Sequence, residues 1–208
     1  MKRALVTALA VLVAGSTVAV GAAIAMRRAR AVELPRYGEV PAFQLTDEAG
    51  RPFGTAELDG HLWVADFIFT TCPEVCPRMT EDMGRLQTWL TNRALDGRVR
   101  LVSVSVDPAR DTPAKLRAYA EQFHARPGTW TFATGSQQAI EDAVVHGFKI
   151  AVSREKDDTE DGFAIVHGTK FVLVDGRRQI RGYYDSNDGA SMAKLRDDVA
   201  ALADGRAR

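Results

Sequence analysis

The stretch Leu62-Trp63-Val64-Ala65-Asp66-Phe67-Ile68-Phe69 constrains this chain more than any other. A nearly unbroken apolar run with β-branched and aromatic members reads as a strand covered on both faces. It passes directly into Thr70-Thr71-Cys72-Pro73-Glu74-Val75-Cys76-Pro77. Met79, Met83, Leu86 and Leu90 then recur at helical spacing, which predicts a helix over about 76–94. A buried strand feeding a helix calls for further strand–helix units, and the sequence supplies them. Val99 to Val106 alternates into a second buried strand, and Thr112-Pro113 opens a helix with an N-cap and a proline at its first position. Thr129 to Ala133 is a short strand, Ser136 starts a helix that Gly147 stops, and Phe148 to Val152 reads as a strand.

The flanks differ from this pattern. Pro41–Thr46 and Arg51–Phe53 read as a hairpin across Asp47-Glu48-Ala49-Gly50. Thr169–Val174 and Gln179–Tyr184 are strands joined through the tight-turn pair Asp175-Gly176, and a last helix runs from about Gly189 to Ala203. Residues 153–162, SREKDDTEDG, read as a charged, solvated loop. The order predicts an α/β domain with a parallel core, a closing antiparallel hairpin and a covering helix: a thioredoxin-like fold with an N-terminal β-hairpin over residues 41–204. Residues 31–40 read as a linker.

From Ala4 to Met26 no residue is charged. As a helix these 23 residues would extend roughly 34 Å, enough for a bilayer core. The run is longer than a usual secretory signal and ends in Arg27, Arg28 and Arg30, so residues 1–30 read as an uncleaved single-pass anchor. Ala23-Ile24-Ala25 leaves a cleaved signal as the alternative. Flanking charges nearly balance under the positive-inside rule, and the segment's N-terminal place favours export of the domain behind it. The absence of an Arg/Ser-rich presequence favours a bacterial envelope, with the domain on the extracytoplasmic side. Beyond residue 30 the chain carries 22 basic and 27 acidic residues. A mildly acidic domain without a basic stripe argues against nucleic-acid binding.

Two cysteines, Cys72 and Cys76, are too few for a disulfide scaffold. Four apart at a helix start, they point the same way and suit either a disulfide or joint coordination of one ion. Pro77, lacking an amide hydrogen, fits the first helical position. Amides at a helix start favour thiolate over thiol, which serves redox exchange and metal binding alike. Two thiolates are soft ligands that suit Cu(I), whereas structural zinc wants four protein ligands. A third ligand must come from elsewhere. His61, His124 and His146 fall in a turn and at helix ends and read as solvated or charge-partnering side chains. His167 lies between the charged loop and the hairpin strand, where a thioredoxin-like topology packs a loop beside the Cys-bearing helix start. Met79 and Met83 read as core, and Asp157, Asp158, Glu160 and Asp161 as a solvated face.

With FxFTTCPEVCP at 67–77, SVDPARDTP at 105–113, Trp130 followed by Gly135-Ser136, and HGTKFVLVD at 167–175, the chain resembles the Sco/SenC family of copper chaperones. The resemblance runs from about Val40 to Leu195. It implies that Cys72, Cys76 and His167 bind one copper ion, as Cu(I) or Cu(II). It also implies delivery of copper to the binuclear copper site of cytochrome c oxidase or another cuproprotein, or reduction of that site's cysteines. A thiol-reductant protein would then keep the pair reduced. Many members carry Asp before the histidine where this chain has Val166, which removes one carboxylate from beside the ligand. Asp107 and Asp111 read as structural residues holding the loop beside the cysteines. Two other functions are compatible with the fold. One is a membrane-anchored thiol–disulfide oxidoreductase without metal, its redox pair Cys72 and Cys76. The other is a peroxidase, which Phe69, standing where a Thr belongs three residues before Cys72, disfavours.

Overall fold

The computed structural model describes residues 32–156 and 163–207, with side chains for 32–152 and 168–207. Its strands are β1 (Gly38–Glu39), β2 (Gln44–Asp47), β3 (Pro52–Gly54), β4 (Leu62–Ile68), β5 (Val99–Ser105), β6 (Trp130–Thr134), β7 (Val152–Lys156), β8 (Phe163–His167), β9 (Lys170–Val174) and β10 (Gln179–Asp185). Its helices are α1 (Thr55–Leu58), α2 (Val75–Asn92), α3 (Pro113–Gln122), α4 (Gln137–Glu141, continued by a π-helical turn over Asp142–Gly147) and α5 (Gly189–Ala203).

The main sheet has the order β1-β10-β9-β4-β5-β6-β2-β3. β4, β5 and β6 are parallel, with Leu62 opposite Val99 and Leu101 opposite Trp130. β9 runs antiparallel to β4, with Trp63 opposite Val174 and Ala65 opposite Val172. The parallel core and antiparallel closing hairpin are those the sequence predicts. Alternation along β4 divides the core in two. Val64 and Ile68 face α2, α3 and α5, where Met79, Met83, Leu86, Leu116, Leu195 and Val199 pack. Trp63, Ala65 and Phe67 face the β2–β3 hairpin, α4 and Phe148. Both faces of the strand are dry, which is why its sequence is apolar almost throughout.

Local signals set several boundaries. The Thr112 Oγ1 accepts the Lys115 amide and the Ser136 Oγ that of Ala139, capping α3 and α4. Asp188 caps α5 through the Ala190 amide. Four expectations need correction. Residues 148–151 form no strand; β7 begins only at Val152. The charged run expected to be a loop contributes strand residues 153–156 to a β7–β8 hairpin, because backbone pairing with residues 163–166 carries it irrespective of side-chain charge. Residues 157–162, with the acidic cluster, lie outside the described residues. Pro77 is the third residue of α2, not the first, since the helix already starts at Val75.

The fourth concerns residues 31–40, read as a linker. From Val32 onward they form a strap bound to the sheet. Val32 pairs with Ala207, Tyr37 N donates to Ile180 O, and Gly38–Glu39 add a strand to β10. Arg181, 3% exposed, pairs with Asp175 at 2.8 Å and donates to the carbonyls of Pro35 and Leu34 at 3.1 and 3.2 Å. Leu34 and Val40 are buried. Among the described residues no helix is long and apolar enough to cross a membrane; the charge-free run 4–26 lies outside them.

Candidate metal and thiol site

The site forms where β4 ends and α2 begins. Cys72 is half-buried and Cys76 fully buried, and neither is in a disulfide. The Cys72 amide donates to Phe69 O at 3.2 Å, closing a tight turn after the strand. The Cys76 amide, one of the orphan donors of the first helical turn, donates to the Cys72 sulfur at 3.3 Å. Pro77 has no amide to satisfy, and no side chain caps α2 at Glu74. The sulfur thus occupies the place an N-cap oxygen takes elsewhere, and this contact sets the two cysteines together. Around Cys72 the residues Thr71, Pro73, Glu74 and Val75 line the surface, so one thiol faces an open rim while the other lies beneath it.

The two thiols are not equivalent electrostatically. Burial pushes the Cys76 thiol well above its ordinary value, a hydrogen bond with the Phe69 backbone opposing it weakly. The helix-start argument that favours thiolate is therefore outweighed at Cys76 by desolvation, which is larger for a sulfur walled off by the core. Three further buried residues stand near. Thr80 Oγ1 donates to Cys76 O at 2.8 Å, which leaves its oxygen to accept from the Tyr119 hydroxyl at 3.1 Å. Burial also raises the Tyr119 hydroxyl above its ordinary value. Asp66 lies on the α2 side of β4 by alternation, is fully buried, and has no hydrogen-bond partner for either carboxylate oxygen among the described residues. Its register partner Ser103 favours the charged form weakly. The Ser103 hydroxyl lies outside hydrogen-bond geometry to Asp66 and accepts from Trp130 Nε1 at 2.9 Å. Burial dominates, lifting the Asp66 carboxyl from 3.8 to about 7.

Asp111 ties the cysteine turn to the loop after β5. It is fully buried and accepts from the Thr70 amide at 3.1 Å, the Thr70 hydroxyl at 2.5 Å and the Ser105 hydroxyl at 2.5 Å. Asp107, whose amide donates to Ser105 Oγ at 3.1 Å, is paired with Arg110. These aspartates have the loop-holding role the sequence assigns them.

The His167 side chain lies outside the described residues. Its backbone closes β8 opposite Val152, and β9 starts soon after it at Lys170. Because β9 is antiparallel to β4, that start lies at the end of the sheet where Cys72 stands. Lys170 pairs with Asp185 at 2.8 Å, holding the Asp185 carboxyl below its ordinary value and fixing the entry to β9. Among the described residues no three Cys, His, Asp or Glu side chains form a ready metal cluster. The other histidines are away from the site. His61 lies at the opposite end of β4 against Arg100, His124 follows α3 with its carbonyl accepting from Gln87, and His146 is exposed. Met79 and Met83 are core. The motif alone does not point to Asp66 as a site neighbour; the signal for it is that Asp66 is the one charged residue in the apolar run 62–69.

The SCO1/SenC family model matches residues 33–204. The SCO1 protein homolog of Bacillus subtilis (strain 168) is 36% identical over 170 residues, 81% of this chain and 85% of that one. The solved structure of BsSco, described as containing a disulfide switch and as a member of the Sco family of cytochrome c oxidase assembly proteins, is 30% identical. It covers 82% of this chain and 95% of its own, with a TM-score of 0.68. The structure of Bradyrhizobium japonicum ScoI with copper bound covers 77% of this chain and 99% of its own at a TM-score of 0.65 and 22% identity, a likeness of fold.

Proposed function

Because the chain belongs to the SCO1/SenC family, we propose that it is a copper metallochaperone whose Cys72, Cys76 and His167 hold one copper ion as cargo. The copper goes to the binuclear copper site of cytochrome c oxidase or a similar cuproprotein. The observation that carries this reading is the pair of sulfurs joined through the Cys76 amide at the mouth of α2, with one sulfur at an open rim. Two soft donors in reach of one another suit copper, and the β9–β4 register brings the backbone that follows His167 to the same end of the sheet. Residues 4–26 would hold the domain to a bacterial membrane on its extracytoplasmic side. Copper loading releases the thiol protons, and the high thiol value at Cys76 makes loading steeper with pH.

The test is copper stoichiometry of the reduced protein. One copper per chain is expected, with Cys72→Ala, Cys76→Ala and His167→Ala each losing it or weakening it sharply. If all three variants bind as the parent does, there is no such site. A second reading, a thiol–disulfide oxidoreductase without metal, is favoured by the inequality of the two thiols. Half-exposed Cys72 is placed to attack or be attacked by a partner, and buried Cys76 to resolve the mixed disulfide. In that case His167→Ala leaves disulfide exchange intact.

A further inference from the structure

The Asp111 carboxylate has an unusual set of partners for a fully buried charge. Among the described residues it is met by no cation, only by the Thr70 amide, the Thr70 hydroxyl and the Ser105 hydroxyl. A buried carboxylate is costly, and it persists where its hydrogen bonds fix something the fold would otherwise leave loose. Here they join three separate pieces of chain. Ser105 ends β5, Asp111 stands just before the N-cap of α3, and Thr70 stands two residues before Cys72. The contact with Thr70 spans 41 residues of sequence and engages both backbone and side chain. From Thr70 the path to the thiols is short. Cys72 is held by its amide to Phe69 O, and its sulfur receives the Cys76 amide.

We propose that Asp111 is a positioning residue for the thiol pair. By latching Thr70, it presets where the Cys72 sulfur stands relative to Cys76, both for copper and for the disulfide. The inference rests on reading Cys72 and Cys76 as the working pair. Without the latch the turn over 69–72 loses its tie to the loop after β5, and its remaining slack must be ordered when the ion binds or the disulfide closes. Partners beyond the ligands that orient them are typically worth about 10–100-fold in metal affinity. Thr70 bears half of this contact, so Asp111 and Thr70 act as one unit and their losses do not add.

The experiment uses the full chain as parent, Asp111→Asn, Thr70→Val, Thr70→Ser and the Asp111→Asn/Thr70→Val double variant. Cu(I) affinity is read by competition with a colorimetric chelator. The dithiol–disulfide equilibrium is read in glutathione buffers, where each Cys72–Cys76 disulfide formed reduces one glutathione disulfide to two thiols. The expected result is an affinity about 10-fold lower for Asp111→Asn and for Thr70→Val, no further loss in the double variant, and near-parent affinity for Thr70→Ser, which keeps both donors. The glutathione equilibrium constant should move in the two weakened variants and stay put in Thr70→Ser. Folded variants that match the parent in both readouts, or losses that multiply in the double variant, overturn the proposal. If Asp111→Asn does not fold, the Thr70→Val and Thr70→Ser pair decides, and equal behaviour of the two overturns it. A parent that binds no copper sinks the metal reading alone; the glutathione equilibrium still decides on Asp111.

Discussion

Replacing Asp66 by asparagine removes a charge while keeping the shape of the side chain, and the structure sets the size of the effect. Desolvation lifts this carboxyl from 3.8 to about 7. A folded-state value above the unfolded one means the native protein prefers the protonated form. The stability it confers is complete below the unfolded value and is lost as pH rises toward the folded value. Above about 7 both states are ionised and the loss is constant. Three pH units correspond to a total on the order of 4 kcal/mol. Between pH 5 and pH 8 the accessible part is about 3 kcal/mol. The amide introduced by Asp66→Asn cannot titrate, so the stability of this variant relative to the parent should climb by about that much across the window. The assay is urea unfolding at half-unit pH steps, on metal-free protein kept reduced. Cys76 stays a neutral thiol in the native state throughout, and the histidines are common to both proteins and cancel in the difference. Two stability profiles that run parallel from pH 5 to pH 8 would show that Asp66 does not carry its charge penalty in the folded state, and the reasoning would fail.

Two further predictions address the frame around the site. Arg181→Met strips the partly buried Asp175 of its cation and frees the Leu34 and Pro35 carbonyls, so urea unfolding should show a loss of about 2 kcal/mol. Hydrogen exchange at the Val32, Tyr37 and Val40 amides should quicken first; unchanged protection there would contradict the clamp. Gly54→Ala would drive a Cβ into Phe43 O, a backbone atom that cannot step aside. Thermal unfolding should fall by roughly 5 °C, corresponding to about 2 kcal/mol of overpacking, and a midpoint equal to the parent's would refute the clash.

What could be read from the chain in advance was what depends on neighbours in sequence. The Thr112 and Ser136 caps, the Asp175-Gly176 turn and the span of α5 are each specified within a few residues. The parallel core followed from apolar runs long enough to be strands and too dry to be edges. Features built by distant contacts were not legible. β1 is two residues with no periodicity, and it exists because β10 offers it unpaired backbone. β7 carries charges that disguise a strand. The Asp111–Thr70 contact joins residues 41 apart, so sequence could suggest a holding role for the loop without showing the grip. The helix-start argument for thiolate fails at Cys76, since burial is a property of the whole core and not of the motif.

The strap that begins at Val32 has a geometric consequence. Val32 lies beside Ala207, near where Arg98 reaches the Ala203 carbonyl and where β4 and β5 begin. Cys72 stands at the other pole, beyond the end of β4, and the strand alone separates the two by roughly 20 Å at ~3.3 Å per residue. Anything joined upstream of Val32 enters at the foot of the molecule, so an attachment there leaves the thiol rim facing outward, clear of its own mooring and open to a visiting protein.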